Sequence, residues 1–418
     1  MCQKKVALLL AAYVLNGTAT AQPYTFTRLV DSNTPNPGGT GTFDNINAFW
    51  YPTISDGNVV FVGLSNTLSD GQGIYKHSNG VLSVVADNRT QVPNDTGTFR
   101  DFDVYPPDVS GMNSAFRGLG PTNSGVFARF ADAPVSVIAD LNTQVPNGGG
   151  DFRAFHTNVS VDGHDVVFMG SATSTSTAPG VYLSAAGALS RVADTATPIP
   201  GGDGAMFSQF LDWEARQGLV TFAGRNTAAQ VAGIYRQQGD AFGTIVDRNT
   251  PVPDGRGAFS NFTQISIDGN DIVFQARNTN PEFEGLFRIT QGTLHRVVDD
   301  STVIPGTQGA RFTSAGNAEI FGGTVVFTEN DHGVWLESNG ELTPIVVPGQ
   351  IIDGFTVADA RFWANGRDHN QIVVTIRFTD DVEFHPHQAI YLITIPGPGA
   401  GTAVGATFAF ALARRSRT

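Results

Sequence analysis

The sequence predicts an all-β fold, a seven-bladed β-propeller with four strands per blade, and three observations carry that prediction. A pattern Asp-x-x-Thr-x-x-Pro occurs six times, with its fixed residues at Asp31, Thr34 and Pro37, at Asp87, Thr90 and Pro93, and at Asp140, Thr143 and Pro146, then at Asp194, Thr197 and Pro200, at Asp247, Thr250 and Pro253, and at Asp299, Thr302 and Pro305. The steps between successive aspartates are 56, 53, 54, 53 and 52 residues, and a fixed period of this size marks a repeat architecture. Between the motifs, short runs rich in β-branched and aromatic residues recur in one order, parted by turns containing Gly. The two ends of the repeated region are also complementary, with one strand spare at the start and one missing at the finish.

Taken in order, residues 1–21 read as a secretory signal. Lys4 and Lys5 supply the positive start, residues 6–15 (VALLLAAYVL) the apolar run, and Ala19 and Ala21 the small residues for cleavage before Gln22. The run is shorter than the roughly 20 residues a membrane-spanning helix needs. The body, residues 22–396, opens with Tyr24–Val30, which matches the last strand of every repeat and leads straight into Asp31.

The fifth repeat shows the grammar. A first strand spans Phe259–Ile267 and ends at the turn Asp268-Gly269, where Gly tolerates positive φ. Asp271–Gln275 is the second strand, Gly285–Ile289 the third, and Leu294–Val298 the fourth. The second strand recurs as Asn58–Phe61, Asp165–Phe168 and Thr324–Phe327, and the third as Gly73–Tyr75, Gly180–Tyr182 and Gly333–Trp335. A seventh copy runs through Gln371–Thr375 and Ala389–Tyr391 and stops at Ile395 without a fourth strand. Pairing that missing strand with Tyr24–Val30 closes a ring, and radial repetition of this kind leaves only short, protected edges.

Within the motif, Asp and Thr accept hydrogen bonds from nearby backbone N–H groups, and Pro stops the ladder. A Phe follows 12 or 13 residues after each Asp (Phe43, Phe99, Phe152, Phe207, Phe259, Phe312), a recurrence expected of packing between blades. The motif therefore reads as a structural clip between blades. The alternative is a ring of six carboxylates holding calcium at one rim, but each loop offers mostly one carboxylate where calcium takes six to eight oxygens. No cofactor is expected.

Formal net charge is −13, and removing Lys4, Lys5, Arg414, Arg415 and Arg417 with the end segments takes it to −18. An acidic surface excludes nucleic acid as the expected partner, because phosphates call for Lys and Arg. Cys2 is the only cysteine and lies in the signal, so disulfides, cysteine nucleophiles and zinc thiolates are excluded from the body.

Residues 397–418 follow Pro396 and Pro398 with an Ala/Gly/Phe run and a final cluster containing Arg414 and Arg415. This layout resembles the PEP-CTERM class of bacterial sorting tails, although Gly397 stands where that class has Glu. The resemblance implies recognition by envelope sorting machinery, cleavage by an exosortase-type transpeptidase and delivery to the cell surface or its matrix. The turns at Ser55-Asp56-Gly57, Ser160–Gly163 and Ser266–Gly269 resemble those of TolB-like propellers.

The densest polar cluster, Thr379–His387, contains Asp381, His385 and His387, which are candidate ligands for a transition metal, but His at i and i+2 around a Pro is not a ligand spacing and a solvated acidic loop is the favoured reading. No Gly-x-Ser-x-Gly, His-Glu-x-x-His, P-loop or dinucleotide fingerprint occurs, and no residue is expected to be catalytic. The expected function is that of an exported, surface-sorted, non-catalytic module binding extracellular polysaccharide or a surface protein. The alternative is a propeller glycan hydrolase or lyase, which would need carboxylates from several blades converging on the central channel.

Overall fold

In the computed structural model the chain is a ring of seven antiparallel sheets. The structure describes residues 24–44, 48–67, 71–102, 106–148, 150–172, 179–239, 241–279, 282–329, 333–379 and 388–396. Blade one consists of Phe49–Ser55, Asn58–Leu64, Gln72–Ser78 and Val81–Asp87, paired in that order from the axis outward. Blades two to six repeat the order, with inner strands Asp108–Ser110, Ala154–Asp162, Gln209–Arg216, Asn261–Asp268 and Ala315–Phe321. The inner strands touch their neighbours in a closed circuit, blade seven meeting blade one.

Blade seven is closed as the complementary ends require. Its own strands are Phe355–Asp368, Gln371–Phe378 and Gln388–Thr394, and Thr25–Asp31 supplies the fourth. Thr25 lies opposite Thr394 and Asp31 opposite Ala389. One feature was not anticipated: the inner strand of this blade is 14 residues long, and its first residues fold back on a two-residue strand, Ile351–Ile352. A 3-10 turn lies at Pro253–Gly255, in the fifth Asp loop.

The core is divided among the faces where blades meet. Val60, Val62 and Ile74 of blade one pack with Phe99, Phe116 and Phe127 of blade two, and equivalent clusters recur around the ring. Each Phe that follows an Asp loop is buried in such a face. Phe152 meets Tyr182 edge-on at 4.9 Å, and it also meets Phe168 at 5.8 Å. Phe168 and Tyr182 lie directly across from one another on neighbouring strands and stack at 29°. Cross-strand aromatic pairs of this kind stabilise a sheet beyond their burial. The ring of Phe152 occupies the space above Gly170, where a Cβ would sit 2.8 Å from two of its carbons. Glycine at that point of the second strand is therefore a packing requirement.

Candidate functional site

The six Asp loops share one geometry. In every copy the Thr hydroxyl donates to one oxygen of the Asp carboxylate, at 2.8–3.1 Å, and accepts from the Asp backbone N–H. The same carboxylate oxygen accepts from the backbone N–H two residues on. These bonds close each loop on itself. Links between loops come from other residues, such as Arg89 donating to the carbonyl of Pro37 and Asn94 donating to Asp140. The connection from blade six to blade seven has no Asp, and there Val347 N–H donates to the side chain of Gln350 instead. Asp140 gathers four donors, including Asn123 at 2.9 Å, and these bonds hold its carboxyl below the usual range against the opposing effect of burial.

A second polar system, which the sequence reading did not single out, lies at the inner strands. Asp108, Ser160, Glu214, Ser266 and Glu319 occupy one equivalent position in blades two to six, and all five are buried. All five accept a backbone N–H of the following blade, Ser266 from Ile320 at 3.5 Å. Asp108 accepts from Val161 N–H at 2.7 Å, Ser160 from Ala215 N–H at 3.0 Å, and Glu214 from Ile267 N–H at 2.8 Å. Glu319 accepts from the Ser266 hydroxyl at 2.7 Å and from Asn365 N–H at 2.5 Å. Two residues further along each strand a second chain of pins runs the same way. Ser55, Ser110, Asp162, Asp268 and Asp368 each accept a backbone N–H from the hairpin turn of the next blade.

The carboxylates of blades two, four and six therefore converge on the centre. Burial pushes Asp108 up to about 7 and Asp212 up to about 6, and the field of Glu319 adds to both. Burial also raises Glu214 and Glu319, and the field of Glu319 adds to the rise at Glu214. Two arginines offset the charge. Arg216 stands 3.7 Å from Glu214 and donates to the Ile267 carbonyl, while Arg367 donates to the Thr324 carbonyl at 2.9 Å. The column was legible: its members are 52, 54, 52 and 53 residues apart, the period of the Asp loops. It escaped notice because its residues alternate between carboxylate and hydroxyl and match no single-letter motif.

Asp381, His385 and His387 lie outside the described residues, as do Ala19, Ala21, Gln22, Pro398, Arg414 and Arg415. Pro396 is the last residue described. Among the described residues no group of three His, Cys, Asp or Glu is placed to hold a metal ion.

Comparison with one solved structure supports the fold. The β-propeller domain of the Trilobed protease from Pyrococcus furiosus, described as having an open velcro topology, is 12% identical with a TM-score of 0.52 over 85% of this chain and 94% of that one. Acylaminoacyl peptidase from Pyrococcus horikoshii is 12% identical with a TM-score of 0.48 over 80% of this chain, which spans 51% of the peptidase. BamB from Moraxella catarrhalis is 9% identical with a TM-score of 0.38 over 89% and 99% of the two chains. No curated protein matches the sequence. A family model does match, over residues 15–320 and 215–368, so that the chain belongs to the family of unknown function DUF7453.

Proposed function

We propose that this protein is an exported, surface-sorted propeller that works as a non-catalytic module binding extracellular polysaccharide or a surface protein. One observation carries the reading. The carboxylates at the centre are occupied by protein partners: both oxygens of Asp108, Asp212 and Glu319 accept hydrogen bonds. Glu214 engages Ile267 N–H with one oxygen and faces Arg216 with the other. A catalytic acid or nucleophile has to reach the substrate, whereas these groups hold neighbouring blades together. Export and sorting rest on the two end segments, and the Asp loops are read as structural because their bonds stay within each loop.

The raised Asp108 and Asp212 favour a second reading, a glycan hydrolase or lyase, since perturbed carboxyls gather at active sites. The two are separated by melting the full chain with calcium, chelator and a panel of polysaccharides, while assaying each mixture for new reducing ends or unsaturated products. A ligand at 100 times its Kd should stabilise the fold by about 2.7 kcal/mol. Stabilisation without product supports the module, product formation overturns it, and a chelator-reversible calcium shift overturns the structural reading of the Asp loops. Mass spectrometry of the native protein should find a start at Gln22 and an end before the Arg cluster, and intact ends would refute the export and sorting reading.

A further inference from the structure

We infer that a belt of bulge residues at the innermost edge of the ring is a binding site for a neutral saccharide chain. This rests on the proposed binding role and assigns it a place and a ligand class. Six inner strands break register: between Trp50 and Thr53, His156 and Val159, Phe210 and Asp212, Thr263 and Ile265, Gly316 and Glu319, and in blade seven twice, between Val357 and Asp359 and between Phe362 and Arg367. A bulge frees its residue from the ladder and re-aims its side chain. Among the residues released are Tyr51, Asn158, Gln264, Asn317, Trp363 and Asn365, with Leu211 the apolar member in blade four.

Their surroundings set them apart. Phe49, Ile54, Phe262, Ile265, Phe362 and Arg367 on the same strands are buried. Tyr51, Asn158, Asn317, Trp363 and Asn365 are only half-buried and Gln264 is exposed. An inner-strand residue walled by two neighbouring blades meets solvent in the bore.

The backbone at these bulges is strained. Tyr51, Gln264, Asn317 and Asn365 have φ of 54°, 47°, 46° and 58°. They belong to four successive blades: five, six, seven and one. Left-handed backbone at a non-glycine residue is uncommon, and for a bulky aromatic it is an outlier. Such strain concentrates at ligand sites. Glycine would meet the same φ without it, yet these positions carry amides and a phenol.

The chemistry specifies the ligand. The Tyr51 and Trp363 rings meet at 4.6 Å and 64° across the junction of blades one and seven, and the indole Nε1 is buried without a hydrogen-bond partner. Together they present an apolar face, which suits one face of a pyranose. Each carboxamide adds donors and an acceptor for vicinal hydroxyls. Some of the belt is already ordered from blade to blade, as Gln264 accepts Asn317 N–H at 2.7 Å and Asn158 donates to Asp212. Asp108, Glu214 and Glu319 are offset by Arg216 and Arg367, so among the described residues the belt has no surplus cation to pair with a uronate or phosphate. A neutral sugar chain needs none.

The test is calorimetric titration of the full chain with neutral glucose and mannose hexasaccharides and with a galacturonate hexamer. Trp363→Ala and the double variant Asn317→Gly/Asn365→Gly are compared with wild type. A neutral hexamer should bind, and both variants should weaken it at least tenfold, while the double variant keeps its Tm because glycine suits the backbone. Equal affinity in the variants, or preference for the uronate, would overturn the inference. If no saccharide binds but a surface protein does, the belt is not a sugar site and the binding-module reading survives. Cleavage of a hexamer would refute that reading instead.

Discussion

The contact between Phe152 and Gly170 offers a thermodynamic cycle whose sign is fixed by the packing. Phe152 is fully buried, with Phe155, Phe168 and Tyr182 within 5.8 Å between ring centres. Phe152→Ala should cost about 3–5 kcal/mol, as removal of a buried Phe does elsewhere. Gly170→Ala places a methyl 2.8 Å from two ring carbons and 3.4 Å from the Ala154 carbonyl oxygen. The ring is wedged among three others and cannot retreat, so this change alone should cost about 1–3 kcal/mol. In the double variant the new methyl enters the space the ring has left, and the clash is gone. The double should therefore be more stable than additivity allows, by about 1–2 kcal/mol. Urea midpoints of the four proteins, at constant m, measure the coupling. Additive costs would mean that Gly170 is there for some reason other than the ring above it.

Four further outcomes are expected. Asp140→Ala removes the acceptor for Asn94, Asn123 and Thr143 and should lower stability by about 2 kcal/mol, more than Asp247→Ala in a loop with fewer donors, as measured by urea unfolding. Asp108 titrates at about 7 in the folded state against 3.8 unfolded, so its contribution is fully present below the lower value and is lost as pH rises through the higher. The urea midpoint should therefore fall between about pH 4 and 7, and Asp108→Ser, which keeps an acceptor as Ser160 does, should flatten that slope. Val30, buried where the N-terminal strand meets blade one, should not tolerate Asp, because an unpaired charge there costs several kcal/mol and loosens the seal. The Tm of Val30→Asp would show it, and an unchanged Tm would mean the strand is dispensable.

What the sequence made legible was whatever repeats by residue type. Asp and Thr recur unchanged, and Phe61, Phe168 and Phe274 hold one place in the second strand, so period, strand order and ring closure could be read directly. What repeats by role rather than type was harder to see. Asp108, Ser160 and Glu214 do one job, accepting a backbone N–H from the next blade, with three different side chains. The bulges were also hidden, since residues such as Gln264 and Asn317 read as ordinary polar positions of alternating strands until the register shift is known. The extended inner strand of blade seven begins by pairing with Ile351 and Ile352, a run of two residues too short to announce a strand.

The way the ring is sealed also decides which way the molecule faces. Strand direction alternates within a blade, so the Asp loops emerge on one face and the hairpin turns on the other. Thr25 begins the sealing strand opposite Thr394, where the third strand of blade seven ends, and Ile395 N–H donates to Asn370 in a hairpin turn at 2.7 Å. The chain therefore enters and leaves side by side on the hairpin-turn face. Whatever holds either end would hold the disc by its underside, with its axle upright and all six Asp loops turned away from the support. Two such molecules tethered to one surface would display the same face outward, so that a sheet of them would have a single sidedness written into the pairing of its first strand with its last.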